Sequence, residues 1–363
     1  MRVALLTYST RPRGGVVHTL NLAEALARLG VDVHVWTLAR GGDATFFRPV
    51  DPAVTVHAVP FPDLGDAVGP RILRSIATLR AAFAVERGAY DVVHAQDCIS
   101  ANAALPCLRT VHHLDTFTTP ELAACHERAV VEPSALVCVS ASVAGEVASG
   151  WGREAAVIPN GVDAARFAAG AADTAARAGW AARLGDYVLA LGGIEPRKGT
   201  LDLVHAWARL REARAARGEP VPALVIGGGE TLFDYRDYRA QVDDACARLG
   251  VEPIVLGTVD DDALPSLVAQ ARALAFVSTQ EGFGLAALEA LAAGVPVVGR
   301  DLPVLREVFG TALAYGSDAE GIALALDAVL TWPPDPAPGL ALAAAHTWES
   351  AARAHLDVYD ALI

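Results

Sequence analysis

Short aliphatic runs alternate with helical stretches through both halves of this chain, and that alternation leaves few folds open. In the first half, residues 3–7, 31–36, 54–59, 91–95, 110–111, 135–139 and 155–158 read as strands. A Gly14-Gly15 turn leads from the first of these into a helix at about 17–29, which Gly30 caps. The second half starts the same way again, with strands at 187–191, 223–226, 254–255, 273–277 and 297–298 and a helix from about residue 200. Strands separated by helices cannot form hairpins with one another. The expectation is therefore α/β, with a parallel sheet and helices on both faces in each half. A chain of 363 residues has room for two such Rossmann-like domains. The boundaries expected are residues 1–163 for the first domain, 164–185 for a connector, 186–346 for the second domain and 347–363 for a last helix. The connector is alanine-rich and reads as short helices, whereas WPPDPAPG at 332–339 reads as a loose segment.

Composition narrows the partners. Apolar residues make up 53% and aromatics 6%, so the cores are expected to be aliphatic. A net charge of −13 argues against nucleic acid, which is held by a basic face. It also argues against broad adhesion to an anionic membrane. Arg71, Arg74, Arg80 and Arg87 edge one amphipathic stretch, and a solvated helix face explains it better than peripheral membrane contact. Five cysteines without a CxxC spacing read as small apolar residues in a reducing compartment. MRVALLTYST is too short in its apolar run for a signal peptide, and no run reaches the ~18 apolar residues of a membrane span. The expected location is cytoplasmic.

The chemistry concentrates in STQEGFGLAALEALAAGVPVV, residues 278–298. Leu285, Leu288, Leu291 and Ala292 fall at helical spacing, and Gly294 followed by Val295-Pro296 ends the helix. The backbone amides of Gly282, Phe283, Gly284 and Leu285 would lie at a helix N-terminus, where a phosphate can sit. Glycine on both sides of Phe283 lets a ligand approach the backbone. Glu281 stands before the helix, and Glu289 one to two turns in, roughly 7–8 Å along the axis from its first residue. Two carboxylates flanking an anion-binding helix tip suit the hydroxyls on either side of a diphosphate. Lys198 is the single lysine, lies between a strand and a helix in LGGIEPRKGT, and supplies a compact charge able to reach a phosphate.

The E-x7-E run resembles the donor site of retaining GT-B glycosyltransferases, specifically glycosyltransferase family 4. That resemblance implies two Rossmann-like domains with parallel sheets facing across a cleft, and a last helix that crosses back to the first domain. It implies transfer of a hexose from a UDP- or GDP-linked sugar to an acceptor hydroxyl, with configuration retained and with no metal or other cofactor. The acceptor, whether small molecule, glycan or lipid-linked, stays open. Glu281 would hold the transferred sugar and Glu289 the ribose, while Lys198 would offset charge on the leaving diphosphate. The family arginine after the strand glycine is replaced here by Gly193, for which Arg197 is the substitute.

Gly14 and Gly15 resemble the family's first glycine-rich loop, where acceptor or donor phosphate approaches the backbone. In TVHHLDTF, residues 110–117, His112 matches the family's histidine near the transferred sugar, with His113 and Asp115 as neighbours. Gly227, Gly228 and Gly229 are expected to border the nucleotide. Three features read as structural: His18, the Asn160-Gly161 turn, and the acidic Asp260-Asp261-Asp262 as a helix cap rather than a metal site. No glycine turn fits G-x-G-x-x-G, which argues against a dinucleotide oxidoreductase. The alternatives are a catalytically silent nucleotide-sugar-binding subunit, favoured by Gly193, and a GT-B epimerase or phosphorylase.

Overall fold

The structure is a computed structural model that describes residues 1–115, 117, 119–229 and 235–363. The chain divides into two compact units, residues 1–161 together with 348–363, and residues 162–347.

The first unit is built on seven parallel strands: β1 (Arg2–Leu6), β2 (Asp32–Arg40), β3 (Val54–Phe61), β4 (Val92–Ala95), β5 (Leu108–Val111), β6 (Ala135–Cys138) and β7 (Ala156–Val157). Their order is β3-β2-β1-β4-β5-β6-β7. Val3 lies opposite both Val33 and Val92, so β1 is flanked on each side and Val3 to Leu6 are fully buried. Strand order reverses between β1 and β4, and in doubly wound sheets ligands settle at the carboxyl ends beside such a reversal. The helix Gly14–Arg28 buries Leu20, Leu22 and Leu26 and packs against the last helix, Trp348–Asp360. Asp97 closes a capping box on the helix Cys98–Ala104, and Ser140 caps Ala141–Trp151.

The second unit carries six parallel strands: β8 (Tyr187–Leu191), β9 (Ala223–Gly227), β10 (Ile254–Gly257), β11 (Ala273–Phe276), β12 (Val297–Arg300) and β13 (Ala314–Gly316). Their order is β10-β9-β8-β11-β12-β13, so the reversal falls between β8 and β11. Val188, Leu203, Trp207, Leu224, Ala275 and Leu326 are core residues of this unit. Its entry is the helices Ala164–Ala172 and Thr174–Leu184, capped by the side chains of Asp163 and Asp173.

Three features depart from the sequence expectation. The strand β13 was not legible, because three residues carry too little pattern. The segment 332–339 is not loose throughout: a helix, Ala337–Ala345, begins inside it with Pro336 as N-cap and a second proline in its first turn. There the prolines start a helix instead of breaking one. The arginines of the helix Val68–Ala84 and the turn after it are anchored, not merely solvated. Arg74 pairs with Asp66 at 2.6 Å, Arg80 donates to the Asn102 carbonyl at 2.6 Å, and Arg87 donates to the Ala104 and Pro106 carbonyls. Among the described residues no helix is long and apolar enough to cross a membrane.

One close approach fixes the strand ends of the second unit. A Cβ on Gly228 would stand 2.2 Å from the Gly192 carbonyl carbon. The atoms it would meet, the Gly192 carbonyl carbon and oxygen and the Gly193 nitrogen, are all backbone and cannot step aside. Gly228→Ala is therefore expected to cost on the order of 3 kcal/mol in a denaturant titration. A loss under about 1 kcal/mol would show that the two strand ends spread freely.

Candidate active site

The carboxyl ends of β8 and β11 bring the predicted charges together. Beyond β8 the chain passes through Gly192, a single turn at Pro196–Lys198 and Gly199 before entering the helix Thr200–Ala216. Gly199 has φ +66°, and a Cβ there would lie 2.3 Å from the Val277 carbonyl oxygen, so only glycine fits. The Lys198 stem runs over Gly192, where a Cβ would lie 3.0 Å from Cε. Its ammonium lies 2.8 Å from Glu281 Oε1 and 5.6 Å from the centroid of the Phe276 ring. Arg197 Nη1 reaches the same Oε1 at 3.2 Å, and its Nη2 lies 3.3 Å from Glu195. Thr279 N–H donates to the Arg197 carbonyl at 2.8 Å, which ties the two loops together. Burial alone would raise the Glu281 carboxyl, but the Lys198 ammonium and then the Arg197 guanidinium override it and hold the group at about 2. Gly192, Gly193, Lys198, Thr200, Phe276 and Ser278 line a recess beside this cluster.

The turn before the next helix differs in detail from its sequence reading. The helix is Leu285–Ala292, with Gly284 as N-cap at φ +109°. Its first internal bond runs from Leu288 N–H to the Gly284 carbonyl at 3.1 Å. The four amides left without a partner inside the helix are thus those of 284–287, two positions on from the 282–285 expected. Phe283 does not face a ligand with its ring: that side chain is 3% exposed, and its neighbours are Phe309 at 6.4 Å and His346 at 5.9 Å. A Cβ on Gly284 would meet Phe309 at 2.9 Å, so this glycine serves packing and a left-handed turn before it serves any ligand. Gly282 is buried in the same corner.

Glu289 is the fourth residue after Leu285, about 6 Å along the axis, one turn in and slightly nearer than expected. Burial pushes its carboxyl up to about 7, with Arg166 opposing the rise and Asp261 adding to it. Those two neighbours pair with each other at 2.8 Å. The acidic triplet therefore does not cap by side chain. Asp260 accepts through its carbonyl, and Asp261 holds Arg166. The sequence reading missed Arg166 and Asp261 as companions of Glu289, since nothing local links residues so far apart. Gly227 to Gly229 also answer to packing: their missing side chains would strike Leu191, Gly192 and Thr258. Glu230 and Thr231, which follow them, lie outside the described residues.

In the first unit Gly14 and Gly15 open the helix Gly14–Arg28, and Gly15 meets His112. A Cβ on Gly15 would lie 3.4 Å from His112 Cδ2. Open space surrounds the same point on Gly14. Burial, then His113, Arg109, His94 and His355, push the His112 imidazole down to about 3, so it is neutral near pH 7. The His112 ring stands edge-on to His18 at 4.7 Å. His18 is 1% exposed, and its Nδ1 shares a 2.8 Å hydrogen bond with Asn160 Oδ1, which gives Asn160 a tethering role beyond its turn. His113 pairs with Asp115 at 2.8 Å. Thr116 of the same run lies outside the described residues.

Two doubly wound parallel sheets, with a lysine–carboxylate cluster at the strand reversal of the second, are the architecture of the GT-B fold. Residues 12–166 match the model of Glycosyltransferase Family 4, and residues 182–337 match that of Glycosyl transferases group 1. A D-inositol 3-phosphate glycosyltransferase of Salinispora arenicola is 31% identical over 82% of this chain and 76% of its own. A phosphatidyl-myo-inositol mannosyltransferase of Mycolicibacterium smegmatis is 30% identical over 91% of this chain and 85% of its own. The fold matches the crystal structure of Anabaena HepE in complex with UDP-glucose, at TM-score 0.74 and 19% identity over 99% of this chain and 100% of that one. The chain belongs to glycosyltransferase family 4, and its activity is glycosyl transfer from nucleotide sugars.

Proposed function

We propose that this enzyme moves a hexose from a UDP- or GDP-linked sugar to an acceptor hydroxyl with retention of configuration and without a metal. The observation that carries the reading is the convergence of Lys198 and Arg197 on one oxygen of Glu281, beside the open amides of the helix Leu285–Ala292. Two cations and a helix N-terminus suit a diphosphate, and they can stabilise the charge that develops on it as the sugar departs. Arg197 supplies the second cation in place of the arginine that Gly193 replaces. Glu281, already ionised and held by both cations, accepts hydroxyls of the sugar; Glu289 accepts those of the ribose. In the first unit His112 is neutral and suits hydrogen bonding to a sugar hydroxyl rather than proton donation. The acceptor's proton is then left to a phosphate oxygen of the leaving diphosphate, on the face from which the acceptor attacks. The names of the two relatives point toward an inositol-type polyol as acceptor.

The test is a panel of UDP- and GDP-linked hexoses with the full chain. One donor is expected to raise the melting temperature and to release its nucleotide, at a rate unchanged by chelator. The anomeric coupling of the product by NMR is expected to match that of the donor. No shift and no release across the panel would remove the reading, and an inverted product would remove its stereochemical half.

A further inference from the structure

Several buried side-chain atoms of the first unit lack a hydrogen-bond partner, among them Arg13 Nε, Thr37 Oγ1, Arg109 Nε and Nη1 and His112 Nε2, and at its strand reversal Gln96 has both ends of its amide unmade. Gln96 directly follows β4, and its backbone N–H donates to the Leu6 carbonyl of β1 at 2.9 Å. The residue is therefore held at the carboxyl ends of the two strands between which the sheet order reverses. The residue is 1% exposed, yet both its Oε1 and its Nε2 are buried without a hydrogen-bond partner. Its neighbour Asp97 is spent, accepting from the Tyr8 and Ser100 amides at 3.0 and 2.8 Å. Gly15 marks the corner: the point where its Cβ would stand lies 3.9 Å from the Gln96 carbonyl oxygen and 3.4 Å from His112 Cδ2. His112 Nε2 is likewise buried without a partner. Folding rarely leaves an amide with both ends unmade, because burying it unpaired is costly.

We infer that Gln96 is a substrate-binding residue that reads hydroxyl groups of a polyol or sugar beside His112. A carboxamide offers donors at one end and an acceptor at the other, and a hydroxyl is both donor and acceptor. The group is neutral, so it selects hydroxyls without adding charge to a site that already holds a neutral imidazole. The choice of a polyol rests on the glycosyl-transfer reading; the availability of the amide does not.

The experiment measures binding of myo-inositol and methyl α-D-mannopyranoside to the full chain by saturation-transfer NMR, with GDP and UDP affinity and melting temperature followed in parallel. Wild type is expected to bind at least one of the two probes. Gln96→Met, close in shape and without polar atoms, is expected to weaken that binding about fivefold or more. Its nucleotide affinity is expected to stay unchanged and its melting temperature to stay level or rise, since a buried unpaired amide has been removed. Gln96→Glu, which keeps only acceptors, is expected to lose affinity similarly. Probe affinity equal to wild type in both variants overturns the inference, and so does a wild type that binds neither probe. A drop in melting temperature with undiminished probe binding makes the amide structural and also overturns it. Failure of the glycosyl-transfer reading shows itself separately, as donors that release no nucleotide.

Discussion

Lys198→Met is expected to lower kcat/KM for nucleotide release on the order of a hundredfold while circular dichroism stays unchanged. A charge-assisted hydrogen bond is worth roughly 1.5–3 kcal/mol, and loss of the upper figure corresponds to about two orders of magnitude. The ammonium acts on two partners. It holds Glu281 Oε1 at 2.8 Å, and in the proposed complex it faces the diphosphate. Removing it leaves a carboxylate that is only 10% exposed with Arg197 as its remaining cation. The effect on acid stability has a definite sign. The folded-state pKa of Glu281 is depressed to about 2, so its contribution is present above the ordinary carboxylate value and is lost as pH falls toward 2. In Lys198→Met that loss is expected to set in at higher pH. A cycle with Glu281→Gln gives the sharper result: the double variant should lose clearly less than the sum of the singles, because the two side chains work as a pair. Strict additivity would mean that Lys198 and Glu281 act on unrelated parts of the substrate.

The pattern of this cluster was open to sequence reading, and its exact shape was not. A lone lysine after a strand, and glutamates eight positions apart around a glycine turn, are local signals, and the structure brings Lys198, Arg197 and Glu281 together. Strand and helix alternation likewise located β8, whose bounds matched residue for residue, because an apolar run ending in glycine is unambiguous. What escaped were decisions made by packing between distant segments. The helix start moved to Leu285 because Phe283 is drawn into a pocket with Phe309 and His346, which no local pattern announces. The glycines at 227–229 were read for a ligand, and the structure adds a packing reason: backbone lies against Gly228, and side chains lie against Gly227 and Gly229. Asp261 was taken for a cap because its partner, Arg166, lies in a helix that the sequence treated as mere connector. Gln96 had no sequence signature at all; its amide, buried with both ends unmade at the strand reversal, is visible only in the structure.

Nucleotide-sugar affinity is expected to rise about tenfold between pH 6 and pH 8, and Glu289 is the reason. With a carboxyl at about 7, roughly one tenth of the chains carry the anion at pH 6 and about nine tenths at pH 8. Only the anion offers both oxygens as acceptors to a pair of ribose hydroxyls, so binding releases a proton and strengthens as pH rises. A nucleotide sugar is the right probe because its pyrophosphate, esterified at both ends, stays fully ionised across this range. Glu289→Gln should give a flat profile at the weak end, and a donor lacking the ribose hydroxyls should flatten it in wild type. The neighbours fix the midpoint. Arg166→Met is expected to move it up, since Arg166 favours the anion, and Asp261→Asn to move it down. Stability without ligand runs the other way. A carboxyl raised in the folded state contributes fully below the ordinary carboxylate pKa, near 4.5, and loses that contribution as pH rises through about 7. The free chain should therefore lose stability relative to Glu289→Gln over the same interval in which it gains affinity for its donor. Opposite slopes from one carboxylate are hard to obtain by accident; matching slopes, or a wild-type profile flat from pH 6 to 8, would take Glu289 out of the ribose site.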